Sequence, residues 1–353
     1  MLDLARELDH TGFDIKFYSF IPTSRCIKFG LQKKCIVSLF GIIAPFLILR
    51  RIFPKLSWIH IKVQDFIMGI FMRKCDICIS LTGYVYAPRI AQKKGAIIIM
   101  ERGSKHILEQ KKILEKNPHK KNEAIPNRNI KCNLKAYQFA NFISVASQHV
   151  KESFLLHQYP ENRIFVNPYG VDLSMFKPLP NIPKKYDVIM VGGWGYEKGC
   201  DLIVEAIRKT NYSFIHVGSI KDVDFPQEKN FTHIDPVDQS KLIEYYNQAK
   251  VFILPSRQDG FGMVLSQALA CNLPIIGSNN CGAPDLKKMV ELPEYITIIK
   301  DYTADAIVTA IHTAIKNYEQ LGERIYAGNA IENLTWEAYG KRYANFLHKI
   351  IKQ

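Results

Sequence analysis

Residues 250–277 read KVFILPSRQDGFGMVLSQALACNLPIIG, and this stretch decides the fold. The apolar run KVFIL has the length and the β-branched character of a buried strand, and it ends at a proline. A glycine-rich loop, DGFG, leads into a helical pattern over residues 262–270, and a second short apolar run follows at 274–277. The stretch therefore predicts a strand, a loop, a helix and a strand, which is the unit that builds parallel sheets.

The same alternation extends through the whole chain. It predicts parallel sheets with helices on both faces, arranged as two doubly wound α/β domains, and 353 residues suffice for two domains. The predicted strands are 13–20, 76–81, 96–100, 142–146, 163–167, 187–191, 212–217, 250–254, 274–277 and 295–299, and the predicted helices include 85–94, 148–157, 200–208, 239–248 and 262–270.

One stretch interrupts this pattern near the middle of the chain. Residues 168–184 are rich in proline and have little periodicity, which is typical of a linker. We therefore predict a first domain at 1–170, a linker at 171–184 and a second domain at 185–334. In such a series a strand and a glycine turn should precede the first helix. We therefore predict that the first domain lacks its first strand, unless the given sequence starts inside a longer chain.

The excess of positive charge is confined to one half of the chain. Residues 1–180 hold 28 Lys and Arg against 13 Asp and Glu, a net charge of +15, whereas residues 181–353 have a net charge of −1. A basic half indicates an anionic partner, such as an acidic membrane, a phosphorylated acceptor or nucleic acid, unless these are ordinary solvated lysines. No stacking-aromatic motif or zinc pattern supports nucleic acid, so we expect no nucleic-acid partner.

The longest apolar run, CIVSLFGIIAPFLIL at 35–49, has fifteen residues. It is shorter than the roughly 20 residues that span a bilayer. A buried helix is one interpretation. The other is a helix on a membrane surface, because Lys33 and Lys34 precede the run and Arg50 and Arg51 follow it.

The sequence does not predict a metal site. Cys75 and Cys78 form a C-x-x-C inside a predicted strand, and no second pair completes a zinc site. No secretory signal is recognised, so the eight cysteines are expected to be free thiols in a cytoplasmic protein. Asp222 and Asp224 form an Asp-x-Asp pair in a polar loop, for which a solvated surface is the favoured interpretation.

Two loops of the second domain have the composition of ligand-binding loops. VGGWGYEKG at 191–199 joins a strand to a helix, so its backbone N–H groups and the helix dipole could hold an anion, with Lys198 adding a charge. In the DGFG loop, Asp259 can accept hydrogen bonds from sugar hydroxyls, and Gln267 lies one to two turns into the next helix. The alternatives are an ordinary strand-to-helix turn, a capping Asp259 and a solvated Gln267.

Several stretches taken together resemble family 4 (group 1) of the retaining glycosyltransferases. Their occurrence in the family's order makes the resemblance specific, although each stretch alone is a weak signal. The stretches are MERGSKHILEQ (100–110), FISVASQHVKESFL (142–155), IFVNPYGVDLSMFKP (164–178), VGGWGYEKGCDLIVEAI (191–207), PSRQDGFGMVLSQALACNLPII (255–276) and TWEAYGKRYANFL (335–347).

The resemblance implies the GT-B fold, in which two Rossmann-like domains face a cleft. It implies a nucleotide-sugar donor in the second domain and a glycan or a polyprenyl- or lipid-linked acceptor on the first. It also implies transfer with retention of anomeric configuration, without a metal or other cofactor. The C-terminal helix, at 335–353, would pack back on the first domain. The expected setting is cell-surface polysaccharide or glycolipid synthesis, in the cytoplasm or at the inner face of the cell membrane.

The resemblance also implies roles for individual residues. Asp259 would contact the donor sugar, Lys198 would neutralise the leaving diphosphate, and Gln267 would bond the ribose. From the first domain, His106 would act with Asp259 as a catalytic residue, unless it is a helix-surface histidine. Arg102 and Ser104 would lie on the acceptor side, and the donor-binding residues would be Gly193, Lys198, Gly260, Phe261, Gly262 and Gln267.

The chain departs from the family pattern at three positions. The family usually has Glu where Asp259 and Gln267 stand, and many members have Arg where this chain has Trp194, after Gly193. These differences leave two alternatives open. One is a GT-B protein of other chemistry, such as an epimerase or a transferase with a soluble acceptor, and the other is a catalytically weak scaffold subunit.

Overall fold

The computed structural model describes residues 1–53, 59–119, 125–321 and 332–352. Its strands form three parallel sheets of two, four and six strands, and most successive strands are joined through helices. The predicted α/β class with doubly wound parallel sheets is confirmed.

The first half of the chain contributes the two-stranded and the four-stranded sheet. The strand orders are β1-β2 and β3-β4-β5-β6. The elements are α1 Leu2–His10, β1 Phe17–Ser19, α2 Thr23–Lys28, β2 Ile36–Ser38, α3 Phe40–Ile52, α4 His60–Phe71, β3 Ile77–Leu81, α5 Tyr86–Lys93, β4 Ile97–Arg102, α6 Ile107–Leu114, α7 Asn127–Phe139, β5 Phe142–Val145, α8 Gln148–Leu155 and β6 Ile164–Val166.

The second half contributes the six-stranded sheet, in the order β12-β11-β10-β7-β8-β9. Its central strands are apolar and almost fully buried, as expected for a parallel sheet covered on both faces. The elements are β7 Tyr186–Val191, α9 Cys200–Arg208, β8 Phe214–Val217, β9 Phe231–Ile234, α10 Gln239–Asn247, β10 Ala249–Leu254, α11 Met263–Ala270, β11 Ile275–Ser278, α12 Ala283–Lys287, β12 Ile296–Ile299, α13 Ala304–Leu321 and α14 Trp336–Ile351.

The strand order of the six-stranded sheet reverses between β7 and β10. β8 and β9 lie beyond β7 on one side, and β11 and β12 lie beyond β10 on the other. Ligands of doubly wound proteins bind in the crevice outside the carboxyl ends of the strands at such a reversal. The two glycine-rich loops follow β7 and β10, so the fold brings both predicted ligand loops to this crevice.

The sheet of the first domain is divided by a groove. Its cavity volume is about 340 Å³, and its lining includes residues of both β1 and β3 together with Leu4 and Leu8 of α1. Among the described residues no strand lies between β1 and β3, so β1-β2 and β3-β4-β5-β6 are separate sheets. The predicted strand 13–20 is correspondingly short, since only Phe17–Ser19 pair with a neighbour, β2.

Two other local predictions differ from the structure. The apolar run 35–49 divides into β2 and most of α3, and Ile43 is the one buried residue of α3, so the buried-helix interpretation is wrong. Strand β9 was not predicted, because FTHI mixes polar and apolar residues and lies at the edge of its sheet. Within the described ranges, no helix combines the length and the apolar character that crossing a bilayer requires.

The C-terminal helix α14 returns to the first domain. Tyr343 and Leu347 pack with Leu4 and Leu8 of α1 in one apolar cluster. The Tyr343 hydroxyl donates a hydrogen bond of 2.6 Å to Oε1 of the buried Glu101 on β4. Burial raises the pKa of that carboxyl above its usual value, although the bond from Tyr343 opposes the shift.

Candidate active site

The crevice between β7 and β10 holds an ion pair. Lys198 Nζ lies 2.6 Å from Asp259 Oδ2, although the residues are 61 positions apart in the chain. The two side chains are only 19% and 17% exposed. Burial alone would lower the pKa of Lys198, but the Asp259 carboxylate raises it above its ordinary value, so the ammonium is charged at neutral pH. The two residues predicted to contact the diphosphate and the sugar thus lie side by side.

The loops that carry this pair are in contact with each other. Gly199 has a φ of 73° at the start of α9, and a Cβ atom there would collide with the carbonyl oxygen of Pro255. The Arg257 N–H donates to the Glu197 carbonyl at 2.9 Å. The glycine therefore permits the close approach of the two loops, which together form one wall of the crevice.

Lys221 is a second cation at the glycine loop, and the sequence did not indicate it. A Cβ atom on Gly193 would collide with the Lys221 side chain, and its position would lie 2.8 Å from Lys221 Nζ. The Lys221 N–H donates to the Trp194 carbonyl at 2.9 Å, which fixes the lysine's backbone beside the loop. Only a residue without a side chain leaves this space to Lys221. An isolated lysine in a polar loop has no pattern that would have identified it.

The backbone of the DGFG loop, rather than its aromatic ring, borders the crevice. Gly262 has a φ of 81° where α11 begins. Phe261 is 1% exposed, and its ring packs edge-on against Tyr169 at 5.9 Å between centroids. The Phe261 carbonyl accepts a 2.6 Å hydrogen bond from the Gly282 N–H. The bond from Gly282 thus anchors the loop to its own domain, while the ring contacts Tyr169 at the end of the first domain.

Gln267 lies on α11 with its side chain buried, not solvated. The Tyr246 hydroxyl donates to Gln267 Oε1 at 3.0 Å. A ribose hydroxyl would therefore have to share that oxygen with Tyr246 or bond the amide nitrogen. The ribose role stays a prediction.

The two domains touch through the DGFG loop. A Cβ atom on Gly260 would collide with the Gly103 carbonyl of the first domain. The Gly260 carbonyl accepts a 2.6 Å hydrogen bond from Ser147 Oγ, and Gln258 Nε2 donates to Ser104 Oγ. Ser104, predicted on the acceptor side, thus lies beside the DGFG loop.

Lys105, another residue that sequence reasoning missed, adds to this contact. Its Nζ donates to Asn280 Oδ1 in the second domain at 2.7 Å. Burial lowers the pKa of Lys105 below its usual value. The segment around Ser104 resembles the family, but nothing in it singled out the lysine.

Arg102 stabilises the first-domain loop that carries Ser104 and Lys105. Its guanidinium donates to the Lys105 carbonyl at 2.9 and 2.8 Å, and it also bonds Gln110 and Asn133. The side chain is 9% exposed. These bonds hold the turn that presents Ser104 and Lys105 to the second domain, which makes Arg102 a positioning residue in this arrangement.

His106 lies inside the first domain, and no described contact joins it to Asp259. Its ring stacks on His157 at 4.0 Å and packs against Tyr137 and Phe154. Its Nδ1 accepts from the Leu108 N–H at 3.4 Å, which caps α6. Burial lowers the pKa of His106 to about 3, so the ring is neutral at physiological pH. Its catalytic role stays a prediction.

The Asp-x-Asp pair is not simply a solvated loop. Asp222 Oδ1 accepts from the Tyr196 N–H at 2.8 Å, and its Oδ2 accepts from Asn117 Nδ2 of the first domain at 2.9 Å. Its oxygens therefore brace the glycine loop and the domain contact. Among the described residues, no group of three or more His, Cys, Asp or Glu side chains is placed to hold a metal ion.

Asp285 of α12 is a buried carboxyl at the domain contact. Its Oδ1 accepts a 3.0 Å hydrogen bond from the Gln148 N–H of the first domain, and its Oδ2 has no partner in the described part of the chain. Burial raises its pKa from 3.8 to about 6. The folded protein therefore holds this proton more tightly than the unfolded chain does.

Replacing Asp285 with asparagine should stabilise the protein relative to wild type, and this gain should be larger at neutral pH than at acid pH. Because the folded pKa is raised, wild type loses stability as pH rises from about 4 to about 6, by at most roughly 3 kcal/mol. Asparagine keeps an oxygen for the Gln148 N–H and cannot ionise. Melting temperatures at about pH 4 and about pH 7 measure this. A difference between variant and wild type that does not grow with pH would contradict it.

Comparison with known proteins gives a family match over most of the second domain. Residues 174–330 match the family model "Glycosyl transferases group 1". The chain is 26% identical over 242 residues to "Probable sucrose-phosphate synthase" of Thermosipho melanesiensis, which covers 61% of this chain and 56% of that protein. It is 23% identical to a GDP-mannose-dependent phosphatidylinositol monomannoside mannosyltransferase of Mycolicibacterium smegmatis, over 59% of this chain and 62% of that protein. The match thus spans less than two thirds of either relative.

Solved structures resemble nearly the whole chain. Sucrose-phosphate synthase of Thermosynechococcus elongatus superposes with a TM-score of 0.61 at 14% identity, covering 99% of this chain and 92% of that one. Anabaena HepE, solved with UDP and glucose, gives a TM-score of 0.66 at 13% identity, covering 98% and 95%. The chain therefore has the GT-B fold, and its residues 174–330 match the group 1 glycosyltransferase family.

Proposed function

We propose that the protein is a retaining glycosyltransferase that moves a hexose from a nucleotide sugar to a glycan or a lipid-linked acceptor. The observation that carries the proposal is the Lys198–Asp259 pair at the crevice between β7 and β10. It places a cation and a carboxylate where the two glycine loops meet, and the first domain contacts one of these loops at Gly260. A diphosphate and a sugar need these two kinds of group side by side.

In the proposed reaction, the bond between the anomeric carbon and the diphosphate breaks while a bond to the acceptor oxygen forms, and the acceptor hydroxyl gives its proton to the departing diphosphate. The negative charge that develops on the leaving diphosphate is met by Lys198 and Lys221. The N-terminus of α11 faces the same loop and favours an anion. Asp259 would orient the sugar through its hydroxyls. Because fixed cations can hold the diphosphate, we expect no metal or other cofactor, with the nucleotide sugar as co-substrate.

Two of the similar proteins support a proposal for the donor nucleotide. HepE was solved with UDP and glucose, and the mycobacterial relative is named for GDP-mannose. We therefore propose a UDP- or GDP-hexose. The same relative is named for a phosphatidylinositol acceptor, which supports a lipid-linked acceptor on the basic first domain. These features favour a cytoplasmic enzyme of cell-surface polysaccharide or glycolipid synthesis, peripheral at the inner face of the membrane.

The proposal is tested by calorimetric titration of UDP-, GDP- and ADP-sugars into the purified chain. One donor class should bind, and that donor should be consumed when acceptors are added. Binding without turnover on any acceptor would favour the second candidate, a weak scaffold subunit. Two observations favour that candidate. Asp259 and Gln267 stand where the family usually has Glu, and the Gln267 side-chain oxygen is already bonded by the Tyr246 hydroxyl. No binding to any donor would contradict the transferase and would also favour the scaffold subunit.

Lys221→Ala should weaken binding of a nucleoside diphosphate by about 1 kcal/mol, and the loss should shrink as salt rises, because this lysine is exposed. Binding of the corresponding nucleoside, without phosphates, should be unchanged. Lys229→Ala removes another exposed cation of the segment between β8 and β9 and is the control. An equal loss of nucleoside and nucleoside diphosphate binding would show that Lys221 does not meet the diphosphate.

A further inference from the structure

Exposed apolar side chains are concentrated in one part of the first domain. In the described part of the chain, eighteen large hydrophobic residues are exposed, and nine of them fall within residues 40–71, on α3, α4 and the residue after α3. Scattered exposed hydrophobic residues are ordinary, whereas a concentrated set marks an interaction surface. The nine are Ile42, Ile48, Leu49, Ile52, Phe53, Ile61, Phe66, Ile70 and Phe71.

Helix α3 is apolar but contributes little to the hydrophobic core. Of its thirteen residues, FGIIAPFLILRRI, only Ile43 is buried. Ile48 and Ile52 are four residues apart, so they lie on one face of the helix, and they are 63% and 64% exposed. Leaving this apolar surface in water has a free-energy cost that burial elsewhere would recover.

Helix α4 is held firmly, so its exposed residues are presented by a fixed support. Asp65 is 7% exposed, and its carboxylate accepts three backbone N–H bonds of 2.7 to 2.8 Å at the start of α5. A Cβ atom on Gly69 would collide with the Tyr86 ring, so the two helices are in close contact. Phe66 and Ile70 are 55% and 59% exposed and lie one turn apart.

The two helices also contact each other. The Phe46 ring of α3 stacks on the His60 ring of α4, with centroids 6.1 Å apart. We use the name α3–α4 face for exposed apolar side chains that these two contacting helices carry: Ile48, Ile52, Phe53, Phe66 and Ile70.

The segment of sequence that carries this face is strongly basic. Between residues 15 and 75 the sequence holds eleven Lys and Arg residues, and Asp65 is the only acidic residue. Since Asp65 is buried and fully engaged with backbone N–H groups, it does not offset the cations at the surface. Arg51 is exposed at the end of α3, beside Ile52. An apolar face with cations around it is complementary to an anionic bilayer, where acyl chains lie below negative headgroups.

We propose that the α3–α4 face inserts its apolar side chains into the headgroup region of an anionic lipid bilayer, with the surrounding lysines and arginines on the phosphates. The face belongs to the first domain, and its residues are separate from the Lys198–Asp259 pair. This inference rests on the membrane association in the proposed function and names the surface that would make it. Because the residues are separate, sugar transfer and docking through this face can each fail alone.

The test is co-sedimentation of the full chain with vesicles of phosphatidylcholine, with and without phosphatidylglycerol. Wild type should bind only the vesicles that contain phosphatidylglycerol, and binding should fall as salt rises. Arg50→Ala with Arg51→Ala should lower the partition coefficient by roughly 25-fold, about fivefold for each charge. Ile48→Ser with Ile52→Ser should lower it by about tenfold or more, because both side chains lose their transfer into the bilayer.

Matched controls separate this surface from general charge and hydrophobicity. Lys131→Ala with Lys135→Ala removes two exposed cations of α7, and Leu156→Ser with Ile351→Ser removes two exposed apolar side chains elsewhere. Both control pairs should bind as wild type does, and all variants should melt near the wild-type temperature since every substituted side chain is at least partly exposed.

Three outcomes would overturn the proposal. One is equal binding to vesicles with and without phosphatidylglycerol, and another is an equal loss in the control pairs. The third is a dimer in vesicle-free sedimentation velocity that Ile48→Ser with Ile52→Ser dissociates, because the face would then be covered by a second copy of the chain.

Discussion

Gly260→Ala is expected to lower turnover by about two orders of magnitude while leaving the fold of each domain intact. The added methyl would collide with the Gly103 carbonyl, which is backbone and cannot rotate away. The DGFG loop and the first-domain loop would have to separate, and the Ser147 bond to the Gly260 carbonyl would be lost or lengthened. A misplacement of about 1 Å between groups that must meet costs about 10²-fold in rate.

Two measurements check this result. Turnover is followed with the donor that the calorimetry identifies, and small-angle scattering follows the separation of the domains. Gly41→Ala is the control, because its methyl would meet no atom within 4 Å. Donor affinity should fall less than turnover, since the donor loops belong to the second domain. Wild-type turnover in Gly260→Ala would show that this domain contact is not needed for the reaction.

Lys198→Ala is expected to weaken donor binding by roughly 1.5–3 kcal/mol, the range for a hydrogen bond to a charged group. Its Nζ is the cation nearest Asp259, and its loss leaves that carboxylate unpaired where a diphosphate must bind. The loss should be close to the upper limit, because the free carboxylate repels the diphosphate. Undiminished affinity would contradict the assigned role.

The chain offers a matched control in the same domain. Lys250 Nζ and Asp187 Oδ1 form a comparable pair at 2.8 Å, at the amino ends of β10 and β7, away from the crevice. Lys250→Ala should therefore leave donor affinity unchanged. Calorimetry of both variants beside wild type distinguishes a donor contact from a general loss of stability.

Asp259→Asn separates the two members of the pair. It should lower turnover more than nucleotide affinity, because asparagine keeps a hydrogen-bonding side chain but loses the charge that orients the sugar.

The double variant Lys198→Ala, Asp259→Ala should lose less donor affinity than the sum of the single losses, since neither charge is then left unpaired. Strict additivity would show that the two side chains act independently.

Local physics explains why much of the second domain was predictable. Residues 250–254 and 187–191 are apolar runs of strand length that end in proline or glycine, and they are β10 and β7 to within a residue. Burial on both faces of a parallel sheet requires such runs, so the pattern is strong. The edge strand β9 has one buried residue, and its pattern is correspondingly weak.

The first domain was less predictable, because its surfaces depend on neighbours that are distant in sequence. A run such as 35–49 is equally compatible with a core helix and an exposed one, and only the packing shows that Ile43 alone is buried on α3. The strand predicted at 13–20 is limited to Phe17–Ser19, since a groove rather than a strand lies between β1 and β3.

The candidate site, too, was predictable from the sequence only in part. The sequence alone determined the α/β class, the two glycine loops after strands, and the choice of Lys198 and Asp259, because each rests on residues close together in the chain. Only the tertiary structure decided that these two side chains pair, that His106 is enclosed by aromatic rings, and that Lys221 occupies the space above Gly193. The physical reason is that burial and pairing depend on contacts between residues far apart in sequence, which no local pattern encodes.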